Sequence, residues 1–245
     1  AQRLIVKEEG ILAGVEIARM VFEKFDPSLR MTVMIPDGSH VKPGDIAFVV
    51  EGPVRSLLQT ERVMLNIMQR MSGIATVTAR YQERLAGLPC KVLDTRKTTP
   101  GLRMLEKEAV RIGGGSNHRI GLFDMILIKD NHVDFAGGIA AAVERAKAYC
   151  KENGKDLKIE QEVRNTDEIR QAIAAGVDRI MLDNFDPERT AEAVRIIRAE
   201  APGVEIESSG GITLDTLRSY GEAGVDFVSV GALTHSVKGL DMSFK

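Results

Sequence analysis

Four short apolar runs in the second half of the chain most constrain its fold. They cover residues 159–163, 179–182, 204–207 and 227–230, so successive starts lie 20, 25 and 23 residues apart. One strand, one helix and two tight turns occupy about that much chain, and repetition at this period is the mark of βα units. The intervals carry helix punctuation. Thr166-Asp167-Glu168 opens one helix and Ala175-Gly176 closes it; Pro187 opens the next; Thr213-Leu214-Asp215 opens a third that ends at Ala223-Gly224. Two earlier runs, 92–94 and 125–128, extend the series to six strands, and a seventh is expected near 110–113. Strands joined by right-handed helical crossovers lie parallel, so the expectation is α/β: an open sheet or barrel with ligands at its carboxyl edge.

The chain before residue 91 has a different rhythm. Runs at 3–8, 31–35 and 46–51 read as strands, and the spacing of Val15, Ala18, Val21, Phe22 and Phe25 reads as a helix. Asp37-Gly38 and Pro43-Gly44 are turn signals. Helical spacing then runs from Leu57 to Leu85, with Ser56 as N-cap and a break expected at Ser72-Gly73. The tail alternates again from Leu240. The expected organisation is an N-terminal α+β domain over 1–55, joined by a C-terminal strand within 238–245, then linking helices over 56–90 and a catalytic α/β barrel over 91–237.

Composition excludes some partners. The net charge is −2 and tryptophan is absent, so neither a bulk attraction to nucleic acid nor a base-stacking surface is expected. Nothing approaches the roughly 18 apolar residues of a membrane span, and no signal peptide is legible, so a cytoplasmic protein is expected. Cys90 and Cys150 lack metal-ligand spacing and read as packing residues.

Charged residues gather where the strands end. Asp94-Thr95-Arg96-Lys97-Thr98-Thr99-Pro100-Gly101-Leu102-Arg103 follows the first βα strand. Adjacent Arg96 and Lys97 repel each other, which suits a strongly anionic ligand. Gly113-Gly114-Gly115-Ser116-Asn117-His118-Arg119 and Lys129-Asp130-Asn131-His132 add further cations. Glu160 and Glu162 close one strand and Asp183 with Asn184 the next; such carboxylates can pair with the cations or hold a hard divalent ion. Ser208-Ser209-Gly210-Gly211-Ile212 and Gly231-Ala232-Leu233 follow two consecutive late strands, and small residues there leave backbone N–H groups open to a phosphate. No P-loop and no Ser/His/Asp order is present, so neither NTP hydrolysis nor covalent catalysis is expected. A phosphoribosyl donor with an aromatic acid fits these residues; a sugar-phosphate aldolase fits nearly as well.

Those motifs, in that order, resemble quinolinate phosphoribosyltransferase. Glu61-Arg62, Ser72-Gly73-Ile74-Ala75-Thr76, Leu182-Asp183-Asn184-Phe185 and Val230-Gly231-Ala232-Leu233-Thr234-His235 extend the resemblance over essentially the whole chain. It implies an open seven-stranded barrel and transfer of phosphoribose from phosphoribosyl pyrophosphate to quinolinate, with loss of CO2 and with Mg2+. It also implies a homodimer with shared active sites, which could assemble further. By resemblance, Arg96, His118 and Arg119 bind the quinolinate carboxylates beside Thr95, and Arg62 reaches in from the partner subunit. Lys97 and Lys129 serve the ribose and pyrophosphate. Glu162 and Asp183 face the ribose hydroxyls and the metal, directly or through water. Ser209, Gly210, Gly211, Gly231 and Ala232 hold the 5′-phosphate, with His235 close by. The family carries a few dozen residues ahead of the point matching Arg3, so that segment is expected to be missing here. Two rivals are a phosphoribosyltransferase acting on another acid and a non-catalytic barrel that only binds.

Overall fold

A computed structural model describes residues 1–245. In chain order the elements are β1 (Gln2–Val6), β2 (Gly10–Ile11), α1 (Val15–Phe25), β3 (Arg30–Val33), β4 (His40–Val41), β5 (Ile46–Glu51) and α2 (Val54–Arg84). Then come β6 (Lys91–Leu93), α3 (Arg103–Ile112), β7 (Ile126–Ile128), α4 (Asp130–Ala136), α5 (Ile139–Glu152), β8 (Ile159–Val163), α6 (Thr166–Ala175) and β9 (Arg179–Asp183). The chain closes with α7 (Pro187–Glu200), β10 (Glu205–Ser209), α8 (Leu217–Glu222), β11 (Phe227–Ser229), α9 (Ala232–His235) and β12 (Met242–Phe244).

These elements fall into two compact units. The first comprises Ala1–Arg80, Lys97–Asn117 and Gly231–Lys245. Its main sheet runs β12-β1-β5-β3, every pair antiparallel. Alternation puts Leu4 and Val6 of β1, Phe48 and Val50 of β5, and Met242 and Phe244 of β12 in the core, where Phe22 of α1 and Met64 and Met68 of α2 cover them. The rings of Phe22, Phe48 and Phe244 lie 6.1–6.3 Å apart, centroid to centroid.

Helix α2 departs from expectation twice. It begins at Val54, so Ser56 sits inside the first turn and bonds the Asp26 carboxylate instead of capping. It also runs unbroken through Ser72-Gly73. The Ser72 hydroxyl accepts from the Ala13 amide and donates to the Ala13 carbonyl, while Thr76 Oγ1 accepts from the Ile11 amide. Gly73 lies against the backbone of Lys238 and Gly239, where a Cβ would collide. Both residues that resemble a helix break are the helix's docking points for neighbouring backbone.

The second unit comprises Tyr81–Arg96 and His118–Val230. Its six parallel strands run β6-β11-β10-β9-β8-β7, the cyclic order of an α/β barrel left open between β6 and β7. The seventh strand expected at 110–113 is the last turn and cap of α3. Two helices follow the punctuation, with Asn165 and Asp186 accepting from backbone amides as N-caps of α6 and α7 and Gly176 closing α6 in the left-handed region. Helix α8 begins only at Leu217, after a turn over the expected start at Thr213-Leu214-Asp215. Strand β8 is buried along its whole length, Glu160, Gln161 and Glu162 included. No helix of the protein is long and apolar enough to cross a membrane.

Candidate active site

In the second unit Thr95, Arg96, Lys129 and Asp183 stand at or just past the carboxyl ends of strands, whereas His118 and Arg119 lie in the segment between α3 and β7. Asp94, at the end of β6, is fully buried, and its Oδ1 accepts the His118 amide at 2.8 Å. One carboxylate thus ties the first cationic motif to the second. Thr95 and Arg96 follow it. Arg119 is buried and its guanidinium donates to the Met125 carbonyl. Burial first, and the like charge of Arg96 second, push its affinity for a proton below the ordinary arginine value. A buried guanidinium that feels the charge of an exposed one beside it suits an anionic ligand that bridges the two.

His118 is 7 % exposed. Its Nε2 lies 3.0 Å from Glu160 Oε2 and 3.4 Å from Glu207 Oε2, both carboxylates being fully buried. Its Nδ1 accepts the Arg119 amide at 2.7 Å. Burial disfavours the imidazolium, but the two carboxylates outweigh it and raise the ring to about 9. The amide at Nδ1 pulls the other way, toward a lone pair on that nitrogen. In either state Nε2 keeps its proton, and that proton faces the carboxylates.

Lys129 precedes α4, and its amide donates to His132 Nδ1. Its ammonium reaches Glu162 Oε2 at 3.2 Å. Glu162 is paired in register with Met181 on β9, so Asp183 stands two residues further along the same face. Asp183 Oδ2 accepts from the Asn184 side chain, and Asn184 takes a left-handed φ of 56°. The turn after β10 explains that strain. Gly210 has φ 107° and sits so close to Asn184 that a Cβ would collide with its side-chain oxygen, and Gly211 is also left-handed. Only glycine fits either position without strain.

Ser209 ends β10 in register with Asp183, and the remaining expected residues belong to the first unit. Gly231 opens α9, and a Cβ there would meet the ring of His235 and the stem of Lys97 at 3.1–3.2 Å. Thr234 Oγ1 donates to the Lys97 carbonyl. Lys97, Gly231, Ala232 and His235 are therefore grouped. Arg70 of α2, not marked in the sequence, fixes this group: its Nη2 donates to Thr99 Oγ1 and to the Thr234 carbonyl. The triple glycine, Gly113 to Gly115, serves packing rather than anion binding, because Cβ atoms at Gly113 and Gly115 would strike Ala75 and Thr78 of α2. Arg62 is exposed on α2. It borders a groove of about 600 Å³ with Gln59, Val63, Asn66, Ile67 and Leu102. Leu58, Val63 and Met104 are exposed apolar residues of the same unit.

Residues 2–72 match the family model described as quinolinate phosphoribosyl transferase, N-terminal domain, and residues 74–245 the C-terminal domain of the same family. The chain belongs to the quinolinate phosphoribosyltransferase family. It is 45% identical over 256 residues to the chloroplastic nicotinate-nucleotide pyrophosphorylase (carboxylating) of Arabidopsis thaliana, covering 98% of this chain and 72% of that protein. It is 44% identical over 240 residues to a probable nicotinate-nucleotide pyrophosphorylase of Bacillus subtilis, covering 98% and 81%. Among solved structures, NadC from Streptococcus pyogenes matches with a TM-score of 0.92 at 43% identity, over all of this chain and 84% of its own. The Francisella tularensis nicotinate-nucleotide pyrophosphorylase matches with a TM-score of 0.92 at 44% identity, over all of this chain and 85% of its own. The family's two-domain architecture accounts for the antiparallel first sheet and the parallel second one.

Proposed function

We propose that this protein transfers phosphoribose from phosphoribosyl pyrophosphate to quinolinate and releases CO2, pyrophosphate and nicotinate mononucleotide, in NAD biosynthesis. The observation that carries this reading is the Arg96–Arg119 pair on one unit with the Glu162 and Asp183 carboxylates. A diacid offsets the two guanidiniums, and acidic strand ends suit a ribose that becomes cationic. As pyrophosphate leaves, C1 of the ribose gains oxocarbenium character, which Glu162 and Asp183 stabilise electrostatically. Lys129 holds Glu162 in place and offers its charge to the leaving group. Decarboxylation leaves electron density at the ring 2-position beside a positively charged ring nitrogen, so the protein needs to orient the diacid more than to move a proton. The backbone amides around Ser209, Gly210 and Gly211 suit the 5′-phosphate. The resemblance assigns Lys97, Gly231, Ala232 and His235 to the phosphate groups of the same donor, and Thr95 to the diacid.

The donor set fits Mg2+. Glu162 and Asp183 offer hard carboxylate oxygens from adjacent strands, and Mg2+ keeps several waters and substrate oxygens in such sites. When bound, the ion would neutralise charge on the pyrophosphate.

A second copy of the chain completes this reading. Arg62 is exposed beside apolar Val63 and the groove over Ile67 and Leu102, a face that a partner subunit would cover while receiving Arg62 into its own quinolinate pocket. We place the reaction in the cytoplasm, where its two free cysteines stay reduced.

The test is an assay with Mg2+, phosphoribosyl pyrophosphate and either quinolinate or nicotinate. CO2 and nicotinate mononucleotide from quinolinate alone support the proposal; turnover of nicotinate alone overturns it, and binding of quinolinate without turnover identifies a barrel that only binds. For the shared site, Arg62→Ala and Lys129→Ala are each expected to be inactive, and mixing them to restore part of the activity through hybrid dimers. If no mixture recovers any, Arg62 acts within its own subunit.

A further inference from the structure

Two carboxylates sit where the second unit has no apparent use for them. Glu160 on β8 and Glu207 on β10 have no exposure at all, and neither Glu160 oxygen receives an aligned hydrogen bond. Burial, and then the charge of Glu207, push Glu160 up to about 7, and apolar residues of similar size would serve stability as well as or better than such a buried ionic cluster. Arg179 of β9 stands between them. Its Nη1 lies 3.2 Å from Glu207 Oε2, its Nε and Nη2 grip Glu205, and its guanidinium stacks 4.3 Å from the Phe227 ring centre. What both carboxylates share is His118, whose donor atoms with theirs lie within 4.8 Å of one another.

The ring of His118 is thereby spoken for. Nε2 faces Glu160 and Glu207, and Nδ1 receives the amide of Arg119. Its own amide is held by Asp94. Each of these contacts fixes the backbone from which Arg119 projects. The field of Glu160 also reaches Arg119 and opposes the repulsion from Arg96.

Resting on the reading that Arg96 and Arg119 bind the quinolinate carboxylates, we propose that the Glu160–His118–Glu207 cluster, braced by Arg179, is a positioning device. It sets Arg119 beside Arg96, and His118 is not itself a ligand of the diacid. Glu160, with Asp124, offsets the repulsion on Arg119 before substrate arrives, Glu207 holds the His118 ring, and substrate carboxylates take over the offset afterwards.

A double-mutant cycle on the full-length enzyme tests this. His118→Asn and Arg119→Ala are each expected to raise the KM for quinolinate about tenfold or more, the effect of one lost charge-assisted hydrogen bond. The KM for phosphoribosyl pyrophosphate stays unchanged. In the Arg119→Ala background, His118→Asn is expected to add nothing; additive losses mean that His118 touches the diacid and overturn the proposal. Glu207→Gln provides an independent arm if His118→Asn fails to fold. It keeps the shape, and the same selective rise in quinolinate KM supports the device, whereas an unchanged quinolinate KM overturns it. Wild-type enzyme that neither binds nor converts quinolinate sinks the underlying reading instead, and is read before any variant.

Discussion

Arg70 Nη2 lies 2.8 Å from Glu106 Oε1, and the same carboxylate's other oxygen accepts the Thr99 amide. Glu106 is fully buried in α3, so this pair anchors the Thr98-Thr99-Pro100 turn to α2. Removing one partner of a buried pair strands the other. Arg70→Leu is expected to cost about 3 kcal/mol of stability, measured by urea unfolding. Arg70→Leu combined with Glu106→Leu should recover part of that loss. A double variant no better than the single would show that the turn, not the stranded charge, sets the cost.

The Lys129–Glu162 contact leads to a kinetic prediction. Glu162 is largely shielded and Lys129 half-exposed, so the pair orients groups more than it stabilises the fold. Glu162→Gln keeps the shape and removes the charge. It is expected to lower kcat by about 100-fold, as loss of one preorganised electrostatic contact does, with little change in either KM. A variant with normal kcat would remove Glu162 from the transition state.

Phe48 belongs to the aromatic trio of the first unit, touches both other rings and has no exposure. Phe48→Ala removes contacts with both Phe22 and Phe244, and so loosens β12 from the sheet. The expected loss is about 3–5 kcal/mol, read by chemical denaturation. A loss under 1 kcal/mol would mean the surrounding methionines collapse into the space, which their flexibility permits.

The parts of the fold readable from sequence are those that depend on local pattern. Strand bounds are legible where short runs meet turn signals, and β5 in the antiparallel sheet and β8 in the parallel one start and stop where their runs do. Asn165, Gly176 and Pro187 work through their own backbone chemistry, so their meaning survives without tertiary context. Ser72-Gly73 is misleading because a serine and a glycine inside a helix look the same whether they break it or dock something against it. Arg70 and Glu207 carry no local signal, and nothing local says what Asp94 and Glu160 contact. Each acts on a residue far along the chain, such as Asp94 on His118 or Glu207 on the same ring, and only the strand order brings them together. The cationic loops and Gly210-Gly211 stand out in the sequence because strand ends in this topology are where ligands bind.

The cysteines make a pH prediction. Burial first, and Asp226 second, raise the Cys90 thiol from its ordinary value of 9.0 to about 12. A raised thiol keeps its proton in the folded state while the unfolded chain releases it. Stability is therefore unaffected below pH 9, and falls as pH climbs from 9 toward 12. Cys90→Ala should flatten that fall. At pH 8 a maleimide should label partly exposed Cys150 and spare Cys90 until denaturant is added. Rapid labelling of both in native buffer would show that the helices over Cys90 open locally.

Gly210 offers the most selective test of the phosphate loop. Its φ of 107° is strained for any residue with a Cβ, and the added carbon would strike the Asn184 side chain. Asn184 in turn donates to Asp183. Gly210→Ala should therefore displace the loop and disturb Asp183 through Asn184. The expected result is a rise of about tenfold or more in the KM for phosphoribosyl pyrophosphate, since phosphate amides are displaced, together with a fall in kcat. Quinolinate binding, measured separately by titration calorimetry, should hold, because Arg96 and Arg119 lie on other strands' loops. Adding Asn184→Gly removes the obstructing side chain and should return part of the phosphoribosyl pyrophosphate affinity. If the second change restores nothing, backbone strain at residue 210 is the whole effect and the Asn184 contact contributes none of it.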